Sequence, residues 1–341
     1  MSVVFKDILT ALIRRRPLTE TEAADSIDSV LDGAWTDAQI GAFLAALAAK
    51  GETIDEVAGA ARAMRRKAVR VQCLAPAVVD TCGTGGDGLG TFNISTTTAF
   101  VVAGAGVAVA KHGNRSVSSA CGSADVLEAL GLNLQVHPEI MEQALNEIGA
   151  AFLFAPLYHG AMKHAMPARK QLGVRTLFNM LGPLANPAGA TAQLLGVYAP
   201  ALTEMFASVL QRLGIRRAYV VHGHDGLDEI SICAPTRVSE LRDGAVKTYD
   251  LSADRFFGEW ADPESLQGGD AVRNAALLKS VLRGETGPRR HIVLLNAAAA
   301  LAAAGKAADI AAGITLAAES IDSGSALDKL ESLIAFTRGH S

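Results

Sequence analysis

The sequence is short of cysteine, of excess charge and of long apolar runs, and each shortage closes off a class of protein. Cys73, Cys82, Cys121 and Cys233 are the only thiols in 341 residues. None stands in a Cys-x-x-Cys or other metal-ligand spacing, so neither a disulfide framework nor a zinc site is expected. Reduced thiols in a cytoplasm fit that usage. A net charge of -4 and a pI near 6.1 leave no Lys/Arg surplus to release counterions from a nucleic-acid backbone, which argues against such a partner. The most apolar stretch, around Leu294 to Ala304, ends in Gly305-Lys306, short of the roughly 20 residues that cross a bilayer. Met1 to Arg16 spreads its apolar residues at helical intervals among Lys6, Asp7 and Arg14 to Arg16, unlike a signal-peptide core. The expectation is a cytoplasmic protein without a membrane segment.

What is present is apolar material for a large core, 50% of the residues, enough for one large domain or two unequal ones. Three capping boxes punctuate the start: Thr19 with Glu22, Thr36 with Gln39 and Thr53 with Glu56, each ahead of a helical pattern. Ile27, Val30 and Leu31, then Ile40, Phe43, Leu44 and Leu47, recur at three- and four-residue spacing, so residues 1 to about 70 read as four helices packed in a small bundle. Beyond Arg66 the pattern changes. Ala77-Val78-Val79-Asp80 reads as a buried strand closed by a glycine cluster. Strand-like runs at Gly106 to Ala110, Ala151 to Phe154, Ala218 to His222 and Val246 to Tyr249 then alternate with helical stretches at Ala124 to Leu130 and Thr203 to Leu213. This is an α/β pattern. Not every strand has a crossover helix beside it, which admits a mixed sheet as readily as a parallel one.

Between Asp80 and Thr96 lie five glycines, at 83, 85, 86, 88 and 90, ahead of a helix starting near Ser95. Such a loop permits positive φ and close approach, and the helix start adds unpaired amides and the positive end of its dipole, a setting suited to phosphate. Gly83-x-Gly85-x-x-Gly88 fits the dinucleotide fingerprint, but the acidic residue due about 20 positions on is missing; Lys111 is the first charge after the apolar run. A phosphate-binding Walker loop fails as well, because Leu89 and Gly90 stand where Lys and Ser/Thr should follow. Directly after the second strand-like run comes Lys111-His-Gly-Asn-Arg-Ser-Val-Ser-Ser119, with two cations and several hydroxyls where α/β sheets build their sites. Ser123 reads as the N-cap of the next helix.

Gly83-Thr-Gly-Gly-Asp-Gly88, Asn93-Ile-Ser-Thr96, Lys111-His-Gly-Asn-Arg115 and Gly122-Ser-Ala-Asp-Val-Leu-Glu-Ala-Leu-Gly131 together resemble the anthranilate phosphoribosyltransferase family. The resemblance continues through Arg169, Thr176 to Pro187 and Gly226-Leu-Asp-Glu-Ile-Ser231. It implies a nucleoside-phosphorylase-like α/β fold with a mixed central sheet: a small helical domain, residues 1-72 joined by a segment around 163-180, hinged on a larger α/β domain, 73-341. It also implies a homodimer joined through the helical parts. The implied reaction transfers the phosphoribosyl group of 5-phosphoribosyl 1-diphosphate to the amine of anthranilate, a step of tryptophan biosynthesis. The family also admits association with the glutamine amidotransferase component of anthranilate synthase.

By the same resemblance, the sugar diphosphate contacts fall on Gly83, Gly86, Asp87, Thr91, Asn93, Ile94, Ser95, Thr96, Lys111, His112, Gly113, Asn114, Arg115, Ser116, Val117, Ser118, Ser119 and Ser123. Mg²⁺, two ions per site, corresponds to Ser95, Asp228 and Glu229. Adjacent carboxylates on a strand face opposite ways, so both can serve a metal only if residues 225 to 229 form a loop. Arg169 matches the partner of the anthranilate carboxylate, with Gly83, Asn114, His112 and His159 around that substrate; Lys111, Asn114 and Arg169 are the expected catalytic positions. Met162 stands where some relatives place an aromatic residue. Two alternatives share the fold, a pyrimidine nucleoside phosphorylase and a non-catalytic nucleic-acid-binding relative. The acidic pair and Arg169 argue against the first, and the absence of a basic excess against the second.

Overall fold

The computed structural model describes residues 3–116 and 120–340; Val117, Ser118 and Ser119 lie outside the described residues. Four helices open the chain, α1 (Phe5–Ile13), α2 (Glu20–Leu31), α3 (Asp37–Lys50) and α4 (Ile54–Lys67). All three capping boxes form: Thr19, Thr36 and Thr53 each accept from the third helical amide, whose side chain bonds back to the cap. Each such cap contributes about 1 kcal/mol and fixes where its helix begins. Ile27, Val30, Ile40, Phe43, Leu44 and Leu47 are fully buried, as their spacing requires. Glu56 does more than cap. Its buried carboxylate also accepts from the Leu18 amide at 2.8 Å and from Lys50 Nζ at 2.8 Å, supplying the donors without which a buried charge costs several kcal/mol.

A seven-stranded sheet follows: β1 (Val78–Gly83), β2 (Ala108–Gly113), β3 (Ala150–Phe154), β4 (Ala192–Gly196), β5 (Arg217–Gly223), β6 (Thr236–Arg242) and β7 (Ala245–Leu251). Their order is β3-β2-β1-β4-β5-β6-β7. The first five pair in parallel and the last two antiparallel, so the sheet is mixed. The β6–β7 hairpin turns on Asp243-Gly244, both with positive φ, the conformation that two-residue hairpins favour. Helices α5 (Ile94–Gly104), α6 (Ser123–Leu130) and α7 (Pro138–Glu147) connect the early strands.

Three details depart from the sequence reading. Lys111, His112 and Gly113 belong to β2 itself and not to the loop after it. Ser123 is the first helical residue; Gly122 is the cap, and the Asp125 carboxylate accepts from the Gly122 and Ser116 amides at 2.9 and 3.1 Å. Strands β4 and β6 had no sequence counterpart. Two apolar clusters organise the packing. One wraps α5, α6, α7, β2 and β3 around the helix Pro288–Ala303. The other joins α1 to α4 with Ala165, Ala168, Leu177 and Leu181, and with Leu195, Val197, Phe206, Ala218 and Val220 on or beside β4 and β5. No described helix is long and apolar enough to cross a membrane.

Candidate active site

The C-terminal ends of β1 and β2 open into a cleft of about 800 Å³, where parallel α/β sheets bind ligands. Its floor is the glycine loop after β1. Gly85, Gly86, Gly88 and Gly90 all have φ between +67° and +79°, a region L side chains rarely adopt. Helix α5 begins at the loop's end with no side-chain cap, because Asn93 is committed elsewhere. Its Nδ2 donates to the Cys121 carbonyl at 3.2 Å and its Oδ1 accepts from Asn274 at 2.9 Å. In the first turn of α5 the Ile94 amide bonds the Phe92 carbonyl at 2.7 Å, which leaves those of Ser95 and Thr96 for a ligand.

Lys111, 5% exposed, projects from β2 to donate to the Thr81 carbonyl and to Ser95 Oγ at 3.2 Å. Burial pulls its ammonium below the usual lysine value, opposed first by Asp80. Asp80 is wholly buried, and burial raises it to about 6 despite Lys111 nearby. The acidic pair sits opposite, in a non-regular segment between β5 and β6, the loop that its chemistry requires. Asp228 Oδ2 accepts from the Gly85 amide at 2.9 Å. Burial and then Asp87 raise Asp228 to about 6, while burial and then Asp228 raise Glu229, whose side chain also bonds Ser95.

These groups fit a hard divalent cation. Two buried carboxylates and a hydroxyl supply oxygen donors, and a cation would offset the burial and mutual repulsion that raise both carboxyl groups. Among the described residues no three acidic, histidine or cysteine side chains are already gathered for a metal. An ion there would take its remaining ligands from water and substrate oxygens, as Mg²⁺ commonly does.

Across the cleft, Arg169 projects from the helix Met166–Leu172. Its guanidinium lies 5.3 Å above the Phe178 ring and has no carboxylate partner among the described residues. His112 lines the cleft. Its Nδ1 bonds the Gly182 carbonyl at 3.0 Å, and its ring stands 5.0 Å from that of His159. Burial, then His159, pushes His112 down to about 3; burial pushes His159 down to about 4. Both imidazoles are neutral, and neither Nε2 has a hydrogen-bond partner among the described residues. Asn114 Oδ1 accepts from the Arg115 amide, while Arg115 itself is held by Asp125 and Glu128 at 2.9 and 2.7 Å.

The cleft wall thus gathers Gly83, Gly86, Asn93, Ser95, Thr96, Lys111 to Ser116, Ser123, Arg169, Asp228 and Glu229. Four expected residues stand off it. Thr91 bridges to Gln267, Ile94 is buried in the core, His159 lies behind His112, and Asp87 reaches the site through its charge on Asp228. Met162 packs half-buried against the second apolar cluster. Sequence reasoning missed Thr84, Lys170, Arg175 and Asn179, which also line the cleft. Arg175 Nη2 donates to the Gly86 carbonyl at 2.6 Å, with its guanidinium 4.0 Å from the Tyr198 ring centre.

A helical bundle beside a mixed sheet with a glycine-loop cleft at its strand ends is the architecture of a glycosyl transferase family. Residues 6–68 match the model for the glycosyl transferase family helical bundle domain, and 75–327 that for its a/b domain. The anthranilate phosphoribosyltransferase of Desulfosudis oleivorans is 63% identical, covering 99% of this chain and all of that one. A crystal structure of the Thermus thermophilus enzyme superposes with a TM-score of 0.92 at 44% identity, covering 97% of this chain and 99% of that one. The Saccharomyces cerevisiae enzyme in complex with PRPP and Mg superposes with a TM-score of 0.89 at 30% identity, covering 98% of each. The chain belongs to the anthranilate phosphoribosyltransferase family.

Proposed function

We propose that this chain transfers the 5-phosphoribosyl group of 5-phosphoribosyl 1-diphosphate to the amine of anthranilate, giving N-(5-phosphoribosyl)anthranilate and diphosphate in tryptophan biosynthesis. The observation that carries this reading is the two-sided cleft. One wall has the glycine loop, Lys111 and the Asp228-Glu229 pair, and the other has Arg169, with no carboxylate of the described residues to hold it. In the reaction the amine nitrogen bonds C1 of the sugar, the C1–O bond to diphosphate breaks, and the nitrogen loses a proton. Positive charge grows on the ribose and negative charge on the leaving group.

When bound, Mg²⁺ would supply charge neutralisation at the diphosphate, held by Ser95, Asp228 and Glu229. The glycine-loop amides and the start of α5 receive phosphate oxygens. Lys111, fixed by Thr81 and Ser95, adds a positive charge without having to be ordered at the moment of bond breaking. Arg169 takes the anthranilate carboxylate in two parallel hydrogen bonds, Asn114 holds the ring's polar edge, and neutral His112 adds no positive charge beside the nitrogen as it becomes cationic on bonding C1. Asn93, Ser95, Thr96, Arg115, Ser116 and Ser123, which line the cleft, complete the sugar diphosphate contacts.

Finer readings accompany this one: two Mg²⁺ ions per site, a boundary near residue 72, a cytoplasmic location, and a homodimer through the helical part. Exposed Val4 and Ile13 flanking and ending α1 support that interface, and sedimentation would test it. The reaction is tested by anthranilate fluorescence. It should fall only when the diphosphate sugar and Mg²⁺ are both added. No fall, or turnover of thymidine with phosphate instead, would replace this reading with another.

A further inference from the structure

Strands β1 and β2 pair only at Val78↔Ala108 and Val79↔Val109. By contrast, β1 stays in register with β4 as far as Gly83↔Gly196, and β2 with β3 as far as Gly113↔Phe154. These two interior strands therefore part after Val79, and the backbone groups a ladder would have paired need other partners. Two side chains supply them. Asp80 Oδ1 accepts from the His112 amide at 3.2 Å. Asn186 Nδ2 donates to Asp80 Oδ2 at 2.8 Å and to the Ala110 carbonyl at 2.8 Å, while its Oδ1 accepts from the Ala188 amide at 2.8 Å.

Asp80 is fully buried and Asn186 is 4% exposed, and neither lines the cleft. A residue that merely filled this gap would not be a carboxylate, since removing a charge from water costs several kcal/mol. Here the polar pair joins one strand to the other, and both N–H groups of a single carboxamide are used to do it. Just beyond, Lys111 spans the same gap to the Thr81 carbonyl.

We propose that Asp80 and Asn186 are positioning residues, a built-in spacer that holds β1 and β2 apart so that Lys111 and the His112 segment are in place before the sugar diphosphate arrives. This rests on the phosphoribosyl-transfer reading above. The spacer sets β2 against β1, so it acts first on Lys111 and the diphosphate side, reaches anthranilate only through His112 on the same strand and Asn114 just past its end, and does not act on Arg169, which stands on a separate helix.

The test is Asn186→Asp, which keeps shape while turning acceptors toward Asp80 and the Ala110 carbonyl. The expected result is a loss of at least about tenfold in kcat/KM for 5-phosphoribosyl 1-diphosphate, the size of one charge-assisted hydrogen bond, with KM for anthranilate rising less than KM for the diphosphate sugar. Unchanged diphosphate-sugar kinetics, or a rise in KM for anthranilate at least as large as that for the diphosphate sugar, overturn the proposal. The unaltered enzyme is assayed alongside; if it does not turn over, the functional reading fails and not the spacer. Should the variant not fold, hydrogen exchange of the unaltered, ligand-free protein decides. Slow exchange of the His112 amide, which bonds Asp80, supports a spacer in place beforehand; fast exchange there that slows only with Mg²⁺ and the diphosphate sugar overturns it.

Discussion

Gly196 lies directly against Asp228: a β-carbon at position 196 would overlap the Asp228 carbonyl oxygen. Gly83, its partner across the β1–β4 ladder, would place a β-carbon 2.6 Å from Asp228 Oδ2. The two facing glycines make room for the acidic loop to settle on the sheet. Gly196→Ala is expected to push that loop away, lowering stability by about 1–3 kcal/mol and weakening the calorimetric heat of Mg²⁺-dependent substrate binding. An unchanged melting temperature would show that the loop does not need this room.

Arg169 has only an aromatic ring and a thioether beside it among the described residues, so its guanidinium is available to a carboxylate. Replacing it by Gln should raise KM for anthranilate by about 10- to 100-fold, the worth of a bidentate charged contact. KM for the diphosphate sugar should stay within about twofold. Steady-state kinetics with each substrate varied in turn separate the two.

Arg175 ties the glycine loop to the far wall through the Gly86 carbonyl and rests on Tyr198. With Arg175→Met, amides of residues 84–90 should exchange faster in deuterium, and KM for the diphosphate sugar should rise about 3- to 10-fold, as loss of one hydrogen bond gives. Unaltered exchange there would mean the tie does not order the loop.

His112 and His159 are held below the ordinary histidine value of 6.5, at about 3 and about 4, chiefly by burial. The unfolded chain binds protons at these sites more readily than the folded one. Their contribution to stability is therefore whole above about pH 6.5 and is lost as the pH falls, down to about 4 for His159 and about 3 for His112. His159→Asn keeps a donor for the Ala185 carbonyl but cannot become charged. The stability lost between pH 7 and pH 5 should shrink by on the order of 1–2 kcal/mol, read from urea unfolding at the two pH values.

What the sequence revealed was local. The Thr19, Thr36 and Thr53 boxes each lie within four residues, so their bonds are written in adjacent letters. The glycine loop was legible because few other uses require so many positive φ angles. β4 escaped notice because buried Gln193 interrupts a five-residue run, and β2 looked shorter than it is because a buried lysine is uncommon in a strand. Arg175 belongs to no pattern, and it meets Gly86 only through tertiary approach across 89 positions. The Asp80–Asn186 bond spans 106 positions, and nothing in either neighbourhood announces it.

The second apolar cluster, which seats Leu12, Ile27, Phe43 and Val57 together with Leu195, Phe206 and Val220, has a consequence for anyone dissecting the chain. Severing the polypeptide after its fourth helix would strip a greasy flank of the sheet and, with it, the matching stripes on the bundle. Neither piece could hide what it had been covering. The two halves are thus better produced as one polypeptide, and a shortened version lacking the first helices should be sticky and prone to precipitate.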